Sequence, residues 1–279
     1  MARLGQHFLI NRAAIKKIVA ALSLTHSDHI IEIGPGKGAL TYPLAKRCAE
    51  IGCTLVAIEK DRELAAALTA RFSKNPATRI ETGDAREILP QLVWKLSAGG
   101  GSAFGGEIGN PPAGRAGWKL VGNIPYSITG ALLRLISELE HKPTLTILMI
   151  QREVAQRIVA KQPEMNLLAA ITQTWATPHI IATLKPNDFI PPPTVDSAVI
   201  TLTPRTGAPA LREAQQRYAL FKILFKQPRK TVLNNLRAAL GTETARRMLV
   251  KQDIAGTARP QNLDLATLTA LASADDVVN

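Results

Sequence analysis

"IIEIGPGKGAL", residues 30–40, decides the fold. Ile30-Ile31-Glu32-Ile33 is a β-branched run that reads as a strand. It stops at three glycines spaced two apart, Gly34, Gly36 and Gly38, and from Leu40 to Ala49 the apolar spacing is helical. Strand, glycine turn and helix form the opening unit of a doubly wound sheet, in which glycines let the backbone approach a ligand at the strand's carboxyl end. A dinucleotide fingerprint needs a third glycine where Ala39 stands, and a phosphate loop needs Ser or Thr where Gly38 follows Lys37. Both phosphate readings fail. Glu32 adds a negative charge beside the loop, which suits a cationic or zwitterionic ligand.

Outward from this stretch the alternation continues. Strands are expected at 55–58, 79–82, 120–121 and 145–150, with helices at 62–72, 86–96, 131–139 and 153–160. An earlier helix carries Ile15, Ile18, Val19 and Leu22 on one face, with Asn11 as its N-cap. Two later strands, near 180–181 and 198–202, lie closer together and predict an antiparallel edge. The expected architecture is therefore α/β: a Rossmann-like, mostly parallel sheet of seven strands with an antiparallel edge. Past Pro204 the pattern is helical only. The expected domains are 1–204 and a small helical domain, 205–279. Residues 97–117 hold eight of the chain's 19 glycines and read as a flexible surface insertion. Its Asn110-Pro111-Pro112 is assigned no function.

Acidic residues end successive strands. Glu59 can accept from both hydroxyls of a ribose, and Asp84 from an adenine amine. With Glu32 and the glycines Gly34 and Gly36, they point to S-adenosylmethionine, whose amino group and sulfonium are cationic. A nicotinamide oxidoreductase is the weaker reading of the same loop.

"KLVGNIPYSITG", residues 119–130, supplies the chemistry. An exocyclic aromatic amine is a poor nucleophile because its lone pair is delocalised. Two acceptors holding its hydrogens favour a pyramidal nitrogen; the Asn123 side-chain oxygen and the Ile124 carbonyl are suited to this. Pro125 fixes the chain direction, and Tyr126 offers a face on which a flipped base can stack. Phe189, before three prolines, is the expected second ring of a base clamp.

The chain resembles the ribosomal RNA adenine dimethyltransferases through "GQHFLIN", "EIGPGKGALT", "AIEKD", "GDA", "GNIPYSIT", "MIQREVAQRIV", "FIPPPTVDSAV" and "FKQPRKTVLNNL". The resemblance spans nearly the whole chain. It implies cofactor contacts at His7, Leu9, Gly34, Glu59, Asp84 and Asn123. It also implies two methyl transfers to each of two adjacent adenines near the 3′ end of small-subunit rRNA. His7 stands where the family often has Asn, and Met165-Asn166 where it usually has Tyr-Gly. The alternatives are a methyltransferase acting on large-subunit rRNA and a non-catalytic assembly factor for immature small subunits.

Bulk properties agree with an RNA partner. Lys and Arg number 34 against 22 Asp and Glu, a formal charge of +12. Lys222, Lys226, Arg229 and Lys230, on a helix read as starting at Phe225 and continuing to Arg237, are the expected phosphate contacts. Cys48 and Cys53 lack the companions of a zinc site and fit a reducing compartment. No signal core and no span of roughly 20 apolar residues is present. A soluble cytoplasmic monomer without metal is expected.

Overall fold

The computed structural model describes residues 6–97 and 117–273, apart from the side chains of Ser97 and Tyr126. Most of the glycine-rich insertion, with its Asn110-Pro111-Pro112, lies outside the described residues.

The chain opens with β1 (Phe8–Leu9) and α1 (Arg12–Ala21), then alternates through β2 (His29–Ile33), α2 (Thr41–Ile51), β3 (Thr54–Glu59), α3 (Arg62–Phe72), β4 (Thr78–Thr82) and α4 (Ala85–Ser97). It resumes with β5 (Trp118–Asn123), α5 (Thr129–Glu138), β6 (Leu145–Gln151), α6 (Arg152–Val159) and α7 (Leu167–Trp175). Three strands follow, β7 (Ala176–Leu184), β8 (Phe189–Ile190) and β9 (Ser197–Pro204). The last helices are α8 (Leu211–Leu224), α9 (Val232–Leu240), α10 (Thr242–Lys251) and α11 (Leu265–Ala272).

Seven strands form one sheet in the order β4-β3-β2-β5-β6-β9-β7. β2 is parallel to β3 and β5, and β6 is antiparallel to β9. Chain order runs one way from β2 through β3 to β4 and the other way from β5 to β6. The switch point lies between β2 and β5, where open α/β sheets bind ligands beyond the strands' carboxyl ends. Ile33 pairs with Gly122 there, so Gly34 and Asn123 leave the sheet side by side. Gly122 must be glycine: a Cβ would stand 2.5 Å from the Ile33 carbonyl oxygen.

β2 and β3 are buried along almost their whole length, which explains their continuous apolar runs. Asn11 caps α1 as expected, its Oδ1 accepting from the Ala14 N–H at 3.0 Å. β1 and β8 pair with each other as a separate two-stranded sheet. The reading of Cys48 and Cys53 as fitting a reducing compartment is corrected: they join the end of α2 to the foot of β3 as a disulfide, both buried.

The chain divides into two compact units. One takes the chain up to Leu132, His141–Arg152 and His179–Thr203; the other takes Leu133–Glu140, Glu153–Pro178 and the chain from Pro204. The second unit thus gathers most of α5 and α6 and all of α7 with the helices that follow Pro204. Its core combines Met165, Ala169 and Ala170 with Leu220, Phe221, Leu236 and Leu268.

Two local expectations change. The sequence pattern does not predict α7, most of whose residues, Thr172 and Gln173 included, are buried. Asn166 starts it, Oδ1 accepting from the Ala169 N–H at 3.2 Å. The basic stretch after Phe225 is not a helix start. α8 ends at Leu224, turns occupy 225–230, and Thr231 caps α9 by accepting from the Asn234 N–H at 3.2 Å. Pro228 disfavours helix at the residue before it and has no N–H of its own to donate.

Candidate active site

At the switch point lies a cleft with a cavity volume of about 100 Å³ that opens to solvent. Its lining includes His7, Leu9, Gly34, Gly36, Glu59, Asn123 and Pro125, which the sequence analysis singled out for cofactor or base. Gln6, Phe8, Lys37 and Leu40, which it did not, line the cleft too.

The glycines are required by close approach. Gly34 has φ +69°, and a Cβ on it would meet the Asn123 carbonyl oxygen at 2.9 Å. At Gly36, φ +57°, a Cβ would meet the Phe8 ring at 2.9 Å. Phe8 therefore lies directly on the loop, with Lys37 Nζ 4.8 Å from its ring centroid.

Glu59 is buried and fixed by two backbone donors. Gly36 N–H donates to Oε2 and Asp61 N–H to Oε1, each at 2.9 Å. Each oxygen keeps a further lone pair. Glu32, on β2, is 1% exposed, and its Oε2 has no partner. Burial pushes its carboxyl up to about 8, with the Thr41 hydroxyl working against the rise and the Glu59 charge adding to it. A buried polar atom without a partner is costly, so this wall of the cleft favours a hydrogen-bond donor such as an amino group.

Asn123 ends β5 and donates from Nδ2 to the His7 carbonyl at 2.9 Å, which fixes the amide and leaves Oδ1 as its acceptor. Ile124 N–H is used by the Met149 carbonyl at 3.1 Å. The Pro125 carbonyl accepts from the Ile128 N–H at 3.1 Å, closing a single 3-10 turn that starts at Tyr126. The Tyr126 side chain lies outside the described residues.

Two expected site residues are elsewhere. Asp84 does not line the cleft; Arg86 takes both its oxygens, at 3.0 and 2.7 Å, and Lys60 adds a contact at 3.1 Å. These bonds, Arg86 first, hold its carboxyl well below the usual range. Phe189 is 2% exposed and packs in the core with Leu9, Leu184 and Val199. The expected base clamp is corrected accordingly: strand alternation turns Phe189 inward and leaves the next residue, Ile190, 56% exposed. Lys222 is exposed at the end of α8, and Lys226, Arg229 and Lys230 are exposed on the turn that follows.

Among the described residues no group of three or more His, Cys, Asp or Glu is placed to hold a metal ion. No described helix is long and apolar enough to cross a membrane.

Curated relatives share sequence over most of their length. A ribosomal RNA small subunit methyltransferase A of Dehalococcoides mccartyi (strain CBDB1) is 36% identical over 242 residues, 85% of this chain and 75% of the relative. The protein of that name from Synechococcus sp. (strain RCC307) is 35% identical over 281 aligned residues, 98% of this chain and 94% of the relative. A dimethyladenosine transferase from Plasmodium falciparum has the same fold, with a TM-score of 0.70 at 20% identity over 95% of this chain and 96% of that one. The 23S rRNA methyltransferase ErmE shares it at a TM-score of 0.63 and 22% identity, over 95% of this chain and 98% of that one. Residues 1–273 match the family described as "Ribosomal RNA adenine dimethylase", and with a glycine loop, paired carboxylates and Asn123 gathered in one cleft, the chain belongs to that family.

Proposed function

We propose that this cleft holds S-adenosylmethionine and presents Asn123 and the Ile124 carbonyl to the N6 amine of a target adenine. As a family member the protein is an S-adenosylmethionine-dependent rRNA adenine dimethyltransferase. Its relatives' names support small-subunit (16S) rRNA as the substrate. The product is N6,N6-dimethyladenosine at two adjacent adenines near the 3′ end. The observation that carries the site assignment is the buried Glu32 carboxylate, its Oε2 without a partner, on the same cleft as Asn123.

When bound, the cofactor supplies an electrophilic methyl group on a sulfonium. Glu32 meets its amino group, and Glu59 accepts from the ribose hydroxyls with lone pairs that Gly36 and Asp61 leave over. Asn123 Oδ1 and the Ile124 carbonyl accept the two hydrogens of the adenine amine. That favours a pyramidal nitrogen whose lone pair is free to attack. Tyr126 offers the π face for the flipped base, a contact of about 1–3 kcal/mol. The amine nitrogen would take the methyl as the S–CH3 bond breaks to leave the neutral thioether, S-adenosylhomocysteine, and its proton would then leave to water, so no general base with a tuned pKa is needed. Asp84, at the start of α4, bonds Arg86 and Lys60.

Lys222, Lys226, Arg229 and Lys230 are proposed to meet RNA phosphates of an immature small subunit, with the protein acting as a cytoplasmic monomer. Nucleoside mass spectrometry of small-subunit rRNA incubated with the protein tests the reading. Dimethyladenosine is expected, and its absence would overturn the assignment.

A further inference from the structure

We propose that Asp188 is a positioning residue for Asn123, acting through the N-terminal strap. The inference rests on the function proposed above. The strap, Gln6–Leu9, forms one wall of the cleft, and its His7 carbonyl orients the Asn123 amide. The strap itself is anchored from the segment before β9. Phe8 and Leu9 pair with Ile190 and Phe189. His7 Nδ1 donates to the Pro191 carbonyl at 2.8 Å. A two-residue pairing is weak by itself.

Asp188 supplies the rest. Its carbonyl accepts from the Ile10 N–H at 2.8 Å. Its Oδ1 accepts from Asn11 Nδ2 at 2.7 Å, and its Oδ2 from the Lys185 N–H at 2.7 Å. Asn11 cannot turn its amide over, because its Oδ1 caps α1 through the Ala14 N–H. The carboxylate thus ties Asn11, two residues past the strap, to the turn that starts at Lys185, and the carbonyl that aims Asn123 lies four residues before Asn11.

This polarity gives a clean test. Asn11→Asp keeps a good N-cap but sets one carboxylate against another. Asp188→Asn leaves one oxygen for two donors, so its NH2 faces either the Asn11 NH2 or the Lys185 N–H. In the double variant the bond is reversed: the introduced amide's oxygen at position 188 serves Lys185 N–H, while its NH2 donates to the introduced carboxylate at position 11. Four measurements are made on each single variant and the double: cofactor affinity, single-turnover methyl transfer, amide exchange of residues 7–10, and melting temperature. Each single variant is expected to weaken cofactor binding and slow transfer by about tenfold, the worth of one charged hydrogen bond. Strap exchange should quicken, with the melting temperature nearly constant. The double variant is expected to recover to within about threefold. Singles that bind, exchange and react like the original protein would overturn the proposal, as would a double variant no better than the worse single. If affinity and exchange follow the swap while no variant, nor the original protein, methylates rRNA, the proposed function falls and the positioning of Asn123 with it, though the anchored strap stands.

Discussion

The carboxylate of Glu59 accepts the backbone N–H of Gly36 at 2.9 Å, so the cofactor's proposed ribose acceptor also braces the glycine loop. The two functions share one side chain. Glu59→Gln removes the charge and one acceptor, and charged hydrogen bonds contribute about 1.5–3 kcal/mol. Calorimetry is expected to show cofactor binding weakened by about tenfold to a hundredfold. Unchanged affinity would remove Glu59 from the site.

Glu32 makes binding depend on pH. Its carboxyl, ordinarily near 4.5, is held up to about 8 in the folded protein without ligand. Pairing with an amino cation requires the ionised form, so binding releases a proton below pH 8. Affinity should rise with pH by up to about tenfold per unit and level off above 8. The sign for stability is opposite. Between about 4.5 and 8 the folded state keeps a proton that the unfolded state has lost, so the unliganded protein loses stability as pH rises through that window. Glu32→Gln should abolish the affinity slope and raise the melting temperature of the unliganded protein most at pH 8 and above. A melting curve unaffected by the substitution at every pH would contradict this account of Glu32.

Phe189 belongs to the core. Phe189→Ala is expected to cost about 3–5 kcal/mol of stability. Phe189→Leu should restore most of the melting temperature and the methylation rate together. A fully stable Phe189→Ala with methylation lost would return this ring to the base pocket.

The turn after α8 tests the RNA surface. Reversing the charges of Arg229 and Lys230 should weaken RNA binding and flatten its logarithmic salt dependence by up to about one unit per lost contact. An unaltered slope would place the phosphates elsewhere.

Much of the fold is legible in the sequence because its signals are local. The β-branched runs at 30–33 and 55–58 and the glycines after Ile33 act within a few residues, and a mostly parallel sheet follows from their alternation with helices. What stays hidden depends on pairing across the chain or on weak periods. β1 and β8 have two residues each, too few to show which side faces inward, so Phe189 reads as a candidate clamp and Phe8 carries no signal. α7 buries most of its residues, polar ones included. Asp84 reads as a site residue from its place after a strand, whereas Arg86, two residues on, is the nearer partner. Glu32 and Asn123 are legible as chemistry, but their meeting in one cleft rests on the β2–β5 pairing.

The most direct measurement is single-turnover methylation of small-subunit rRNA by the protein and by Asn123→Ala, read by nucleoside mass spectrometry. The account predicts N6,N6-dimethyladenosine from the protein as it stands, and a folded, RNA-binding Asn123→Ala that transfers methyl at least about a hundredfold more slowly, the loss typical of one preorganised polar group in a reaction site. An unmethylated rRNA, or an Asn123→Ala variant working at the original rate, would contradict it.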